Sequence, residues 1–109
     1  MPGTTTWTVY LVRCADGSLY AGIARDLEAR IDAHNRGVGA RYTRSRRPVV
    51  VVWQRRRQPP RAARQLEWAI KALCRRDKER LVAGDERLWR ALRRRAVVPP
   101  VIQGSPAEP

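Results

Sequence analysis

The sequence predicts a single α/β domain with three strands, two of them joined in an antiparallel hairpin, and several helices. The chain has 109 residues, which is enough for one hydrophobic core but too few for two. Hydrophobic residues make up 43% of it and alternate with charged ones, as in globular proteins. Runs of β-branched and aromatic residues occur in the first half, and helical stripes dominate the second.

Three segments are predicted as strands. Residues 7–14 and 19–23 are rich in β-branched and aromatic residues, and the Asp16-Gly17 turn signal between them predicts a hairpin. Residues 49–53 form a continuous apolar run, typical of a strand covered on both faces or lying in the middle of a sheet. This strand is expected to end at the three arginines of residues 55–57.

The first predicted helix runs from about Leu27 to Arg36. Asp26 can cap its start, and Gly37 stands where a left-handed residue commonly ends a helix. Residues 37–47 contain glycines and several arginines, so we expect an irregular basic loop there.

Three further helices are predicted in the second half. The helix over residues 61–74 has an apolar stripe made of Leu66, Ala69, Ile70 and Leu73. Two short helices follow at residues 77–83 and 85–95, separated by Gly84. We expect the domain to cover residues 1–96, with its core at about residues 7–81. The Pro-rich tail at residues 97–109 is predicted to be disordered.

Charge is the strongest functional signal. The chain has 23 Lys and Arg residues against 10 Asp and Glu, a net charge of +13. A polyanion releases counterions when it meets such a surface, so nucleic acid is the expected partner. An acidic membrane surface or a ribosomal association are the weaker alternatives.

The cellular compartment is predicted from the lack of a disulfide framework and of a long apolar run. Cys14 and Cys74 have no metal-type spacing, and two thiols do not make a disulfide framework, which favours a reducing compartment. No apolar run approaches the length of about 20 residues that a bilayer span needs. We therefore expect a soluble, cytoplasmic protein without membrane contact.

The first helix carries polar residues on its apolar face. Leu27, Arg30, Ile31 and His34 are spaced i, i+3, i+4 and i+7 and share one face. Burying a guanidinium and an imidazole is costly without partners or an anionic ligand, so the spacing suggests a site. The alternative is that both lie at the edge of the stripe and reach solvent. His34 is the only histidine, which excludes triads and zinc sites that need more.

Two tyrosines on the hairpin are a second candidate feature. Tyr10 lies on the first strand, and Tyr20 begins a Tyr-x-Gly step that ends at Gly22. Glycine in a strand lets another group approach the backbone, as a phosphate would. A two-residue turn would put the tyrosines on opposite faces of the hairpin, whereas a three-residue loop with a bulge would put them on one face. Each tyrosine could also be an ordinary packing residue.

In order and spacing, a set of these residues resembles the GIY-YIG nuclease superfamily, in particular its short stand-alone bacterial members. The set consists of Tyr10, the Tyr20-Ala21-Gly22 step, Arg30, His34 and Glu67. The resemblance spans residues 7 to about 81, although the first signature is reduced to Val9-Tyr10-Leu11 and Ala21 replaces the usual Ile. It implies a small, central, mainly antiparallel three-stranded sheet flanked by helices.

The resemblance also implies a role for each residue. Tyr10 would orient the scissile phosphate, and Tyr20 would assist or act as the base that deprotonates the attacking water. Arg30 would hold a phosphate oxygen, and His34 would supply a hydrogen bond or proton transfer. Glu67 would be the single protein carboxylate on one Mg²⁺ or Mn²⁺ ion.

The sequence departs from the family pattern in two places. Relatives often have an Asn after the metal-binding Glu, but Asn35, the only Asn in the chain, precedes Glu67. Ile23 is apolar where some branches have Lys. An ordinary ion pair with Lys71 is the alternative interpretation of Glu67.

We therefore expect a metal-dependent endonuclease that hydrolyses phosphodiester bonds, with DNA favoured and a role in DNA repair. A non-catalytic basic nucleic-acid-binding protein with the nuclease fold is the alternative, and a ribosome-associated protein is a third. Specificity is expected to be low or to come from DNA structure or a protein partner. Tyr42 is expected to stack on a base. The expected nucleic-acid contacts are Gly22, Arg25, Arg41, Tyr42, Arg44, Arg46, Arg47, Arg55, Arg56 and Arg57.

Overall fold

The computed structural model describes residues 5–97 and confirms the α/β fold with a three-stranded antiparallel sheet. Its strands are β1 Trp7–Arg13, β2 Leu19–Ala24 and β3 Val50–Gln58, and its helices are α1 Leu27–Asn35, α2 Arg41–Arg44, α3 Pro60–Lys71, α4 Arg75–Val82 and α5 Glu86–Val97. From residue 98 onward the predicted tail lies outside the described residues. Within residues 5–97, none of the helices is long and apolar enough to cross a membrane.

The β1–β2 hairpin is confirmed, and its turn decides the register that the sequence left open. The Cys14 amide donates to the Ser18 carbonyl at 2.8 Å, and the Gly17 amide donates to the Cys14 carbonyl at 2.9 Å. The loop between Cys14 and Ser18 therefore has three residues, and Gly17 adopts φ +87°, as a bulged three-residue hairpin requires.

The two hairpin tyrosines lie on one face of the sheet. Tyr10 is opposite Gly22, and Val12 is opposite Tyr20. Directly opposed residues share a face, and residues two apart on a strand do so as well. Tyr10, Val12 and Tyr20 are therefore neighbours on the same surface.

The third strand is longer than predicted, and of the two predicted positions it has the one covered on both faces. The strand order is β2-β1-β3, so β3 lies at an edge and the central strand is β1. The apolar run reflects the other predicted possibility, coverage on both faces, since Val51 and Val52 pack against different clusters on the two faces. The strand also continues through the arginines that were expected to end it. Near its end Arg56 and Arg57 both face Thr8, and Arg57 adopts φ 64°, which marks a β-bulge.

Two hydrophobic layers cover the sheet. The first contains Val9 and Leu11 of β1 together with residues from α3, α4 and α5. The second contains Tyr10 and Val12, with Leu27 and Ile31 of α1 packed against them. The alternation along β1 thus sends odd-numbered side chains to one layer and even-numbered ones to the other.

The α1 helix follows its prediction, and α2 does not. Asp26 caps α1 by accepting from the Ala29 amide at 3.1 Å, and Gly37, with φ +86°, follows its end. The predicted irregular basic loop contains the single-turn helix α2. Ala40 starts this turn, because its carbonyl accepts from the amides of Thr43 and Arg44, both at 3.2 Å.

Candidate active site

A buried histidine forms the centre of the candidate site. His34 is fully buried, which rules out the interpretation that it reaches solvent from the edge of its helix. Its Nε2 lies 3.0 Å from the Tyr10 hydroxyl, and its Nδ1 lies 2.7 Å from the Thr43 hydroxyl. The Thr43 hydroxyl also donates to the Ala40 carbonyl at 3.0 Å. These contacts form one continuous hydrogen-bonded chain.

The direction of the hydrogen bonds in this chain follows from proton counting. Thr43 has one hydroxyl hydrogen, and Ala40 accepts it, so the hydroxyl oxygen must accept from Nδ1–H of His34. Burial lowers the pKa of His34, and the charge of Arg30 lowers it further. The imidazole is therefore neutral at neutral pH. Its bare Nε2 is left to accept the hydroxyl proton of Tyr10.

Tyr10 is the residue on which the other candidates converge. Burial raises its pKa, and the nearby Arg30 lowers it as a hydrogen-bonding partner and as a positive charge. The charges of Tyr20 and Glu67 raise the pKa of Tyr10 in turn. The net effect is a raised pKa, so this phenol is protonated at neutral pH. Together with His34, these residues are the five predicted catalytic residues. Tyr10 and Tyr20 contact His34 directly, and Arg30 and Glu67 lie near enough to shift the pKa of Tyr10.

The rings of Tyr10 and His34 each require a glycine at the position that lies against them. A Cβ atom on Gly22 would collide with the phenol of Tyr10, and one on Gly39 would meet the imidazole and Cα of His34. The group that approaches the backbone of Gly22 is thus a tyrosine of the same hairpin, where the sequence led us to expect a phosphate. Gly22 makes room for the cluster.

Tyr20 connects the cluster to the basic loop. Its ring lies edge-on to His34 at 5.8 Å and stacks on Tyr42 at 5.6 Å with an interplanar angle of 18°. The guanidinium of Arg46 lies 3.9 Å from the centre of the Tyr42 ring. The Tyr42 ring is therefore contacted by Tyr20 and Arg46 within the protein while it remains 38% exposed, and its stacking on a base stays a prediction.

Glu67 approaches the cluster from α3. Its side chain is 26% exposed, and Lys71 lies 3.5 Å from its carboxylate, so the expected alternative ion pair is present. The Lys71 ammonium also lies 5.0 Å from the centre of the Tyr20 ring. Lys71 therefore contacts both the Glu67 carboxylate and the ring of Tyr20.

The predicted nucleic-acid-binding arginines do not form one surface. Arg55 forms an ion pair with Glu86 at 2.5 Å, and its guanidinium lies over the rings of Trp53 and Trp89 in the first layer. Its contacts are structural and lie across the sheet from the tyrosine cluster. The prediction that Arg55 grips a phosphate is therefore not supported by its position.

Two arginines of the basic loop are likewise engaged in the fold. Arg46 forms an ion pair with Asp16 at 3.0 Å. Arg47 donates to the carbonyls of Arg44, at 2.9 Å, and Asn35, at 3.4 Å. Asn35 in turn holds the start of β3 through the backbone of residue 49. Both arginine side chains thus stabilise the loop, although Arg47 is exposed, as are Arg41 and Arg44.

The remaining predicted arginines line a groove of about 770 Å³ between α1 and β3. They are Arg25, Arg56 and Arg57. Gln54, the neighbour of Tyr10 across β1 and β3, lies in the same groove. Asp26 and Glu28 line it as well, so its charge is mixed. The groove adjoins the tyrosine cluster without containing it.

Comparison with known proteins identifies the family of the chain. A family model described as the GIY-YIG catalytic domain matches residues 6–80. The chain belongs to the GIY-YIG family. This family is an endonuclease superfamily, and the match covers all three strands and α1 to α3.

The relatives of this GIY-YIG domain are small bacterial proteins. The UPF0213 proteins of Staphylococcus aureus strains Mu3 and Mu50 are each 49% identical over 74 residues, covering 68% of this chain and 90% of the relative. The solution NMR structure of the UPF0213 protein BH0048 from Bacillus halodurans is 37% identical, with a TM-score of 0.48. That match covers 77% of this chain and 93% of the other. The resemblance to short stand-alone bacterial members is confirmed.

The sequence interpretation missed two residues that contact the buried histidine of the candidate site. Thr43 binds the second nitrogen of His34, and Gly39 leaves room for the imidazole. The sequence carried no signal for Thr43, because its full burial between Tyr42 and Arg44 is visible only in the structure. Its partner could not be identified, since the one-turn helix that carries it has no hydrophobic periodicity.

Proposed function

We propose that this GIY-YIG domain is a divalent-metal-dependent endonuclease that hydrolyses phosphodiester bonds of DNA. Such hydrolysis needs an activated water, neutralisation of phosphate charge and stabilisation of the departing oxygen. The observation that carries the proposal is the buried, neutral His34 that accepts a hydrogen bond from Tyr10, beside Arg30 and Glu67. A packing cluster has no need of that combination.

The chain of hydrogen bonds supports a route for the proton of the attacking water. As the water loses its proton to the Tyr10 oxygen, Tyr10 passes its own proton to Nε2 of His34. Water is thereby deprotonated, and the imidazole becomes an imidazolium whose Nδ1–H is still held by Thr43. On the family resemblance Tyr20, which lies against the same imidazole, would assist or act as the base. The two tyrosines therefore have separable roles that mutation can assign.

Arg30 would act on the phosphate. It is exposed, on the same helix face as His34, and close enough to Tyr10 to lower the pKa of the phenol. A planar guanidinium presents several donors to phosphate oxygens and stabilises the charge that develops on them. Arg30 would thus hold the scissile phosphate next to the Tyr10 hydroxyl.

Glu67 fits one kind of metal ion. Within the part of the chain that is described, no three His, Cys, Asp or Glu side chains gather into a metal site. A single accessible carboxylate suits a hard, strongly hydrated cation such as Mg²⁺ or Mn²⁺, which completes its shell with water and phosphate oxygens. Glu67 would hold that ion, and Lys71 would release the carboxylate. The bound ion would supply positive charge to the phosphate.

The wider substrate class is inferred from charge. A net charge of +13 and exposed arginines, among them Arg41, Arg44, Arg56 and Arg57, favour a phosphate backbone. Low sequence specificity, a protein partner that adds specificity, a role in DNA repair and a cytoplasmic location belong to this proposal.

One observation favours the alternative of a non-catalytic nucleic-acid-binding protein. Lys71 already neutralises Glu67, at 3.5 Å, where the ion would have to bind. On this alternative the domain would bind nucleic acid with equal affinity in Mg²⁺ and in EDTA, and it would cut none.

A cleavage assay separates the two functions. The purified protein is incubated with labelled single-stranded, double-stranded and branched DNA, and with RNA, in Mg²⁺, Mn²⁺ or EDTA. We expect metal-dependent cleavage of DNA that Glu67→Gln and Arg30→Ala each reduce by about a hundredfold. DNA binding should be largely retained. The matched controls are Glu86→Gln and Arg90→Ala, both at exposed positions. Equal cleavage by the wild type and both site variants would exclude this site as the source of the activity.

A further inference from the structure

Trp68 on α3 is exposed in a way that the fold does not explain. Its exposed fraction is 60%, whereas Trp53 and Trp89 are each 6% exposed and pack in the first layer. The buried face of α3 consists of Ala63, Leu66 and Ile70, so Trp68 contributes little to the core. A large aromatic side chain in water suggests a ligand or partner.

Trp68 belongs to a basic stripe on the outer face of α3. At 3.6 residues per turn, Arg61, Arg64, Trp68 and Lys71 fall within an arc of about 80°. All four are exposed. Among the described residues, no carboxylate pairs with Arg61 or Arg64, and only Lys71 is paired, with Glu67. We call these four residues the α3 stripe.

The α3 stripe leads into the candidate active site. Glu67, next to Trp68 in sequence, lies between the stripe and the buried face of α3. Lys71, at the end of the stripe, contacts both Glu67 and the ring of Tyr20. From Arg61 to Lys71 the stripe extends about 15 Å along the helix axis. A strand lying along it would pass directly beside the proposed metal-binding carboxylate.

We propose that the α3 stripe binds a single-stranded segment of DNA, with one unpaired base stacked on Trp68 and the backbone phosphates held by Arg61, Arg64 and Lys71. An aromatic face among cations matches a nucleic-acid strand, which alternates flat bases with phosphates. Charged neighbours are unfavourable for an apolar protein contact. A duplex keeps its bases stacked inside, so only an unpaired base can use the ring.

This proposal rests on the proposed function and narrows it. If Glu67 acts on the scissile phosphate, the unpaired segment lies next to the bond that is cut. Substrates with an overhang, a flap or a branch are therefore bound more tightly than blunt duplexes.

Measuring DNA binding in EDTA tests the α3 stripe in the absence of cleavage. Trp68→Ala should weaken the binding of a short oligothymidylate by about tenfold, as expected for the loss of one base–aromatic stack. It should not change the binding of an abasic strand of the same length and charge. Trp68→Phe should retain most of the affinity. Because Trp68 is the exposed tryptophan, strand-induced quenching of intrinsic fluorescence should disappear in Trp68→Phe.

Two charge variants separate stacking from electrostatics. Arg61→Gln/Arg64→Gln should weaken binding to the normal and abasic strands equally. Arg90→Gln/Arg94→Gln on α5 removes the same charge from exposed positions away from the stripe, and it reports the loss caused by net charge alone. Circular dichroism and thermal midpoints verify that each variant folds.

Three results would overturn the proposal. They are an unchanged affinity of Trp68→Ala for oligothymidylate, an equal loss for the abasic strand, and self-association of the wild type that Trp68→Ala abolishes in sedimentation. The last would show that a second copy covers the stripe. Failure of this proposal and failure of the proposed function can be told apart. Base-dependent binding without any cleavage would support strand binding by the α3 stripe and would reject the endonuclease.

Discussion

The two sides of the candidate site differ in how their polar groups are partnered. On the α1 side, Tyr10, His34 and Thr43 are almost completely buried and form a closed chain of hydrogen bonds. On the α3 side, the only contact described for Glu67 is an ion pair of 3.5 Å with Lys71, and both side chains are partly exposed, by 26% and 45%. The hydrogen bonds on the α1 side are set when the protein folds. On the α3 side, Glu67 can exchange Lys71 for another partner.

This difference indicates a division of labour. A buried network must be fully satisfied in the folded protein, because an unpaired polar group there costs about 1–3 kcal/mol. The proton positions on the α1 side are thus set before any substrate binds. An exposed ion pair contributes little stability, so a cation or a phosphate can replace one member without unfolding the domain.

The largest expected effect comes from removing the hydroxyl of Tyr10. Tyr10→Phe keeps the packing but breaks the proposed route from water to His34, so cleavage should fall by about a hundredfold. Tyr20→Phe is the matched variant, because its ring would keep its contacts with His34 and Tyr42. Single-turnover cleavage rates measure both. A larger loss in Tyr20→Phe than in Tyr10→Phe would assign the base to Tyr20, as the family resemblance implies.

A smaller effect is expected from Thr43, which does not touch the substrate in this proposal. Thr43→Val removes the acceptor of Nδ1–H, so His34 should lose its fixed tautomer, and cleavage should fall by about tenfold. Since His34 is the only histidine, an imidazole nitrogen NMR spectrum reports its tautomer without overlap. The wild type and Thr43→Ser should show a protonated Nδ1 and a bare Nε2. The same spectrum in Thr43→Val would contradict the positioning role.

The parts of the fold that local chemistry controls were predictable from the sequence. The Asp16-Gly17 turn, the Asp26 cap and Gly37 gave the hairpin and α1 nearly to the residue. The position of β3 was not predictable, because an apolar run is the same whether a strand lies at the centre of a sheet or at an edge covered on both faces. Its pairing with β1 is a long-range contact.

The site was predictable only in part, for a related reason. The five catalytic candidates could be named because their order and spacing resemble those of the GIY-YIG superfamily. The hairpin register that puts Tyr10 and Tyr20 on one face, in contrast, depended on a loop of three residues and not two. Thr43 was missed because its contact with His34 is a tertiary feature. Trp68 was missed because the exposure of one face of α3 also depends on tertiary packing. No local pattern encodes them.

The buried His34 on the α1 side should also make the free energy of unfolding depend on pH. Burial lowers the pKa of His34 in the folded state, so as pH falls below about 6.5 the unfolded chain binds a proton first. The stabilisation is full above that pH and is lost as pH falls, by at most about 1.4 kcal/mol per unit. Urea unfolding between about pH 7.5 and 5 measures the slope.

His34→Gln is the control for this titration, and its stability should be flat over the same range. The acidic groups with lowered pKa, Asp16, Glu79 and Asp85, lose their contributions only at lower pH. An equal slope in the variant would mean that the titrating group lies elsewhere.

The smallest effect concerns the basic loop, where the same contrast between fixed and exchangeable groups recurs. Arg41→Gln/Arg44→Gln removes exposed charges, so DNA binding should weaken several-fold for all sequences, and the slope of log affinity against log salt should fall by about two. Arg46→Gln/Arg47→Gln should instead lower the thermal midpoint, because these side chains bind Asp16 and backbone carbonyls. Both double variants could instead change the salt slope alike while neither changes the thermal midpoint. The contacts of Arg46 and Arg47 would then be as replaceable as the ion pair of Glu67. Exposure alone would decide which arginine side chains are free to bind phosphate.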